Sequence, residues 1–261
     1  PGVDLEARIL ARYVGDSDAV KDGSARIVQL YSNASGRHAA AALASGLRST
    51  SASVAVRRFR VTSPGLALQD ITPNDILVLW LRPDEIEQLV AMASQGPPAP
   101  TVFLSALLAA PEDVSLPAVW KQSVHFVSLF DDLGLQAEIA RLRLERWLEL
   151  NGLAGNGIRR LQADAYAAAY LLSEALGGIR KEEVRRPAVP LSREHLLEVL
   201  EKLVDKYDDL TTQVDTDSHI AYYGRMSLGP RQRVAVRGGS ILSYISPKSG
   251  KLTAVGKRIV P

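Results

Sequence analysis

The side chains best placed to bind or react are those that directly follow the apolar runs of this sequence. ARIVQLY leads into Ser32, Asn33 and Ser35; ILVLWL carries Trp80 and is followed by Arg82; TVFLS ends on Ser105; and VHFVSLF is followed by Asp131 and Asp132. If the runs are strands of an open parallel sheet, these positions lie just beyond the carboxyl ends, where such sheets bind ligands and where helix starts offer free N–H groups. The hydroxyl and amide groups of Ser32, Asn33 and Ser35 can hydrogen-bond a polar ligand there; their plainer use is to cap the following helix. Arg82 can fork onto a carboxylate beside an apolar wall made by Trp80, or it is a surface arginine over a core tryptophan. Ser105 has the same two readings, hydroxyl donor to a ligand or structural residue. Asp131 can receive an ammonium group or cap the next helix.

Other chemistry is excluded by what is missing. His38, His125, His195 and His219 are dispersed without HxxxH or HExxH spacing, and Asp215 and Asp217 beside His219 lack the Gly and terminal Glu of an EF-hand loop. SNASGR is not a phosphate loop, and neither GxSxG nor GxGxxG occurs. No nucleophile with a matched base can be assembled, so the chain reads as a non-enzyme with no cofactor and no metal site. Zero cysteines exclude disulfides, thiolate metal sites and thiol catalysis. A net charge of +2 is too balanced for nucleic acid or an anionic membrane as main partner. Arg57, Arg58 and Arg60 read as a solvated strand face. No apolar run approaches the ~18 to 20 residues of a spanning helix, so no membrane insertion is expected. The start at Pro1, without a signal-type segment, reads as a processed product or an excised fragment.

The elements that must position these residues follow from periodicity. With 261 residues and 46% hydrophobic content the chain suits one large or two medium domains. Residues 4–14 form an amphipathic helix with Asp4 as its cap; 26–32 are a buried strand; 37–47 are helical. Strand 53–61 alternates apolar and basic, so its face or edge meets water. Strand 76–81 leads into a helix opened by Pro83, Asp84 and Glu85. Strands at 101–105 and 124–130 precede a helix over 135–150. This order predicts an α/β fold, a mostly parallel doubly wound sheet with helices on both faces. Beyond it lie a helix over 161–176 stopped by Gly177 and Gly178, a charged connector at 181–190, and a helix over 193–203 capped by Ser192. In the first of these, Leu161, Ala165, Ala168, Leu172, Ala175 and Leu176 share a face. The rest reads as C-terminal β-hairpin material. The division expected is a Rossmann-like α/β lobe over 1–157 and a helical pair with a β-rich return segment over 158–261.

Several segments carry a resemblance. ARIVQLYSNASGRHAAAAL is similar to the opening strand, turn and helix of the second lobe of type 1 periplasmic binding proteins, the branched-chain amino acid receptors of ABC transporters. ADAYAAAYLLSEAL and SREHLLEVLEKL resemble the helix pair with which that family returns to its first lobe. The closing YGRMSLGPRQRVAVRGGSILSYISPKSGKLTAVGKRIVP resembles the family's final section, with Leu228 where the family has phenylalanine. The resemblance implies a second lobe plus C-terminal return, with the first-lobe sheet absent. The family's carboxylate-holding Ser/Thr pair belongs to that absent part and has no counterpart here. The resemblance further implies that Asp131 stands near the family's ammonium-binding acidic residue, that binding occurs in a closing cleft, and that the location is periplasmic.

The first functional expectation is a non-catalytic module for a small polar, amino acid-like ligand, with Ser32, Asn33, Ser35, Trp80, Arg82, Ser105 and Asp131 as its binding residues. The second is a receptor-derived interaction domain that has lost small-molecule binding. The helices of 161–203, without the sheet they normally cover, would then dock to a protein partner or to a second copy. An enzyme on the same fold is the third class, because fold does not fix function.

Overall fold

A computed structural model describes residues 2–50, 55–60, 71–72, 74–93, 101–130, 135–153, 160–185, 192–212, 238–248 and 250–261. The elements in chain order are α1 (Gly2–Gly15), α2 (Asp18–Lys21), β1 (Arg26–Tyr31), α3 (Ala34–Thr50), β2 (Val56–Arg60), β3 (Asp75–Trp80), α4 (Pro83–Met92) and β4 (Thr101–Ser105). They continue with α5 (Ala118–Lys121), β5 (Val124–Ser128), α6 (Leu135–Leu150), α7 (Arg160–Arg185), α8 (Arg193–Thr212), β6 (Gly239–Tyr244) and β7 (Leu252–Ile259). By compactness the chain forms two units, residues 1–129 with 238–261, and residues 130–237.

The first unit holds a seven-stranded sheet in the order β2-β1-β3-β4-β5-β6-β7. The five strands β1 to β5 are parallel, and β6 and β7 add to them antiparallel. The interior strands β1 and β4 are buried on both faces, which explains why they are almost wholly apolar, Gln29 of β1 apart. Val28, Leu30, Leu77, Leu79, Leu104 and Phe126 pack on one face with Ile86 and Leu89 of α4 and Trp120 of α5. The opposite face carries α1 and α3, which pack against each other. There the Trp80 indole N–H donates to Gln29 Oε1 (2.8 Å), and the Gln29 amide donates to the Ala40 carbonyl (3.2 Å). This pairing satisfies two polar groups that would be costly to bury alone.

The mostly parallel, doubly wound architecture is therefore the one the sequence predicts. The hairpin is placed differently: the sequence groups it with the helix pair, whereas β6 pairs with β5 and completes the first sheet. Gly239 permits this, because a Cβ there would collide with the Ser128 carbonyl oxygen and approach Ile9 Cδ1 to 2.8 Å. Both outer strands carry basic residues, Arg58 and Arg60 on β2 and Lys257 and Arg258 on β7, a common protection for exposed sheet edges.

Local boundaries differ at several points. Helix α1 begins at Gly2, so Asp4 lies in its first turn rather than at the cap. Helix α3 begins at Ala34, and α8 runs to Thr212 through residues expected as strand material. Ser192 does cap α8, accepting the His195 N–H at 3.1 Å. Helix α7 passes through Gly177 and Gly178 to Arg185, absorbing the start of the expected connector. Burial of Ala175 and Ile179 on either side of the glycine pair outweighs the helix penalty of roughly 1 kcal/mol per glycine. The buried stripe of α7 is Ala163, Ala167, Ala175 and Ile179, while Leu172 and Leu176, expected on its apolar face, are exposed. Ala163 packs with Leu144 and Leu148 of α6, α7 also lies against α8, and the leucines are left outside.

A Cβ at Gly177 meets nothing within 4 Å, and one at Gly178 makes only ordinary contact with Val199 Cγ1 at 3.8 Å. Gly177→Ala and Gly178→Ala are therefore each expected to stabilise the second unit by roughly 0.5–1 kcal/mol. Hydrogen exchange of α7 amides checks this; unchanged or faster exchange in both variants would contradict it.

Candidate functional site

The carboxyl ends of β1 and β3, adjacent in the sheet, bring two of the sequence-predicted residues together. Ser32 follows β1 and donates its hydroxyl to Glu85 Oε2 at 2.7 Å. Arg82 follows β3 and precedes α4, whose first residue is Pro83, a position that suits the fixed proline φ. The Arg82 backbone N–H donates to the same Glu85 Oε2 (2.9 Å), which is half of a capping box. The Arg82 guanidinium also reaches Asp84 and Glu85, at 3.3 Å each. Glu85 is thus the hub. Burial works to raise its pKa, but the Arg82 N–H, the Ser32 hydroxyl and the Arg82 guanidinium outweigh that and hold the carboxyl below its ordinary value. The sequence showed Glu85 only as a favourable charge at a helix start, and its contact with Ser32 spans 53 positions.

The Arg82 side chain is 57% exposed, and both its ion pairs are long for charge-assisted bonds. Exposed pairs of this kind are worth about 0–1 kcal/mol. A ligand carboxylate can therefore draw the guanidinium away from Asp84 at little cost.

Asn33 accepts the Gly36 N–H on Oδ1 at 2.9 Å and so caps α3. Ser35 lies exposed in the first turn of that helix. The first turn runs close to the sheet: a Cβ on Gly36 would sit 2.5 Å from the Trp80 carbonyl oxygen and 3.1 Å from Tyr31 Cβ. Trp80 is fully buried, with its indole committed to Gln29. Ser105, at the end of β4, is also buried and donates to Glu6 Oε2 of α1. Glu6 Oε1 in turn accepts the Leu107 N–H (3.1 Å), and Ser105 Oγ accepts the Leu108 N–H (3.2 Å). Glu6 is fully buried and was not singled out by the sequence, where it sits inside an ordinary amphipathic pattern. Its role arises from a turn some hundred positions away.

Asp131 and Asp132, the loop of Asp215, Asp217 and His219, and the MSLGP stretch lie outside the described residues. Among the described residues, no group of three or more His, Asp or Glu is arranged to hold a metal ion. Also among them, no helix is long and apolar enough to cross a membrane.

No protein-family model matches the chain. No curated protein sequence matches it either. Solved structures do. A leucine-binding protein from Thermotoga maritima superposes with a TM-score of 0.59 at 14% identity, over 99% of this chain and 66% of its own. An extracellular ligand-binding receptor from Verminephrobacter eiseniae gives 0.61 at 13% identity, over 95% of this chain and 65% of its own. A fatty acid ABC transporter substrate-binding protein from Thermomonospora curvata gives 0.58 at 13% identity, over 99% and 63%. The chain thus spans about 65% of the length of these structures. The matches cover 95% or more of the chain, and it has the fold of the type 1 periplasmic binding proteins.

Proposed function

We propose that the chain is a non-catalytic binding module for a small polar, amino acid-like ligand, serving as part of a solute receptor of an ABC transporter in the periplasm. The observation that carries this reading is the convergence of Ser32 and Arg82 at the carboxyl edge of β1 and β3. The start of α3 adds an N-terminal field there that favours a carboxylate. In this reading Arg82 releases Asp84 and forks onto the ligand carboxylate, and Ser32 and Ser35 add hydroxyl contacts; for Asp131, outside the described residues, the role of receiving an ammonium group is the expectation from sequence alone. Asn33 and Ser105 act by position, the first by holding the start of α3 and the second by anchoring the 106–108 turn. Trp80 acts from the interior as the packed floor beneath Gly36. Support also comes from the structural neighbours, among them a leucine-binding protein.

Arg82→Ala and Asp131→Asn are each expected to weaken leucine binding by about tenfold or more without loss of secondary structure, the scale of one charge-assisted contact. Isothermal titration with leucine, alongside circular dichroism, measures both. Folded variants that bind as the parent does would remove both residues from the site.

A second reading, the receptor-derived interaction domain, is favoured by the exposure of Leu172 (44%), Leu176 (40%) and Leu197 (47%) on α7 and α8. Native mass spectrometry of the full chain separates the two. A monomer carrying a reproducible small-molecule adduct supports the receptor reading; a bare dimer supports the interaction domain.

A further inference from the structure

Strand β2 ends the parallel side of the sheet. Among the described residues it pairs only with β1, so the backbone N–H and C=O groups along its other side are open to a further strand. In the register of that pair Gln29 stands beside Arg58 and Tyr31 beside Arg60. Paired neighbours share a face of the sheet, and the Gln29 amide meets the Ala40 carbonyl of α3. Arg58 and Arg60 therefore lie on the α3 side of β2, and both are exposed. Phe59, between them, belongs to the other face and packs against the core that holds Val28 and Leu30.

Helix α3 supplies two more exposed arginines, Arg37 and Arg48. Eleven residues apart, they fall within about 20° of each other around the helix axis. Gly36 marks the side of α3 that lies on the sheet at Trp80, and Gly46 marks the side that lies on Ala11 of α1. Arg37 and Arg48 are on the side turned away from α1. Because α1 contacts β5 and β6 while α3 contacts β1, β2 and β3, that side is the one toward β2.

Four arginines thus border one margin of the first unit. Neither α3 nor β2 contains an Asp or Glu, and none of the four guanidinium groups is paired among the described residues. Arg26, Arg82, Arg141 and Arg146, by contrast, each pair with a carboxylate. Cations gathered without counter-charges repel one another, so an arriving row of carboxylates relieves that repulsion as well as adding attraction.

We propose that this margin binds an extended acidic segment of a partner protein, which adds to β2 as a further strand and sets alternate Asp or Glu side chains against Arg58 and Arg60. The ladder of backbone hydrogen bonds supplies affinity, and the two-residue period of a strand brings every second side chain to the α3 face. Arg37 and Arg48 extend the attraction along the helix. The same charges exclude a second copy of this chain, because joining two β2 margins opposes like charges. A nucleic acid has no ladder of amide donors to offer, and the aromatic ring of β2 is turned into the core, away from any base. Arg82 and the ligand site proposed above take no part.

The probe is a fluorescein-labelled peptide, Thr-Glu-Val-Glu-Val-Glu-Thr, followed by anisotropy with the full chain. It is compared with the same peptide carrying Lys for Glu, with an acidic form N-methylated on every amide, and with a heptamer of polyuridylate. The acidic peptide is expected to bind saturably at about 100 μM or tighter, with the lysine and N-methylated forms about tenfold weaker or worse. Its binding should weaken as salt rises, and hydrogen exchange of the β2 amides should slow when it binds. Arg58→Glu combined with Arg60→Glu should reverse the preference toward the lysine peptide. No saturable binding of the acidic peptide, or equal binding of its N-methylated form, would overturn the proposal. So would a double variant that still prefers the acidic peptide. Tighter binding of polyuridylate would overturn it in favour of a nucleic-acid surface. If the charge-reversed chain fails to fold, Arg58→Ser with Arg60→Ser must show the loss of acidic-peptide binding instead.

Discussion

Gly36→Val is expected to lower the stability of the first unit by about 3 kcal/mol, at the upper end of what overpacking costs. Any side chain at position 36 places its Cβ 2.5 Å from the Trp80 carbonyl oxygen and 3.1 Å from both Trp80 Cβ and Tyr31 Cβ. None of these atoms can rotate away, since one is backbone and the other two are fixed to it. Relief requires moving the start of α3 off the sheet, which breaks the Asn33 cap and disturbs the Gln29 bond to the Ala40 carbonyl. Helix propensity works in the opposite direction. Replacing a helical glycine gains roughly 1 kcal/mol at most, and less for a β-branched valine, so the clash decides the sign. The neighbouring Ser35→Ala, at an exposed position, is expected to change stability by no more than about 0.5 kcal/mol. Hydrogen exchange of β1 and β3 amides in increasing urea measures both variants. If the valine variant protects these strands as well as the parent does, the close approach of α3 is not structurally required.

Glu6→Ala should cost a similar amount, about 3 kcal/mol, for a different reason. Removing the carboxylate strips the Ser105 hydroxyl and the Leu107 N–H of their acceptor in a buried place. Each stranded donor costs about 1–3 kcal/mol. Glu6→Gln keeps an acceptor oxygen and should be much milder. Adding Ser105→Ala to Glu6→Ala removes one of the stranded donors, so the double variant should lose less than the two single variants summed. Chemical denaturation of the four proteins gives the cycle. Strict additivity would mean that Glu6 and Ser105 contribute independently, contrary to the network.

The parallel sheet was legible because its interior strands are buried on both faces and so appear as short, mostly apolar runs between turn-forming residues. RIVQLY and TVFLS coincide with β1 and β4 for this reason. The candidate site was legible only by position. Strand ends named Ser32, Arg82 and Ser105, but whether each hydroxyl meets solvent or an interior carboxylate depends on residues far away in the chain. Glu85 joins Ser32 to Arg82, and Glu6 takes up Ser105; periodicity marks both as ordinary helix residues. The failure at Gly177 and Gly178 is of another kind. Local propensity favours a stop there, and the burial of Ile179 beyond it decides otherwise. Register on α7 failed similarly, since counting leucines favoured Leu172 and Leu176 while the residues buried are Ala163, Ala167, Ala175 and Ile179.

The pairing of β6 with β5 has a consequence for biogenesis. The two strands are neighbours in space, yet the whole of residues 130–237 is synthesised between them. While the ribosome makes that insert, β5 presents an open row of backbone donors and acceptors, the kind of edge that recruits strands from other nascent chains. Closing so long a loop adds an entropic barrier that grows only slowly with its length, so an independently compact insert hinders completion of the sheet less than its size suggests. Arrest of translation before residue 239 should therefore leave a half-finished sheet dependent on chaperones, with its vulnerable side at Phe126 and Val127 rather than at the arginine-guarded margin of β2.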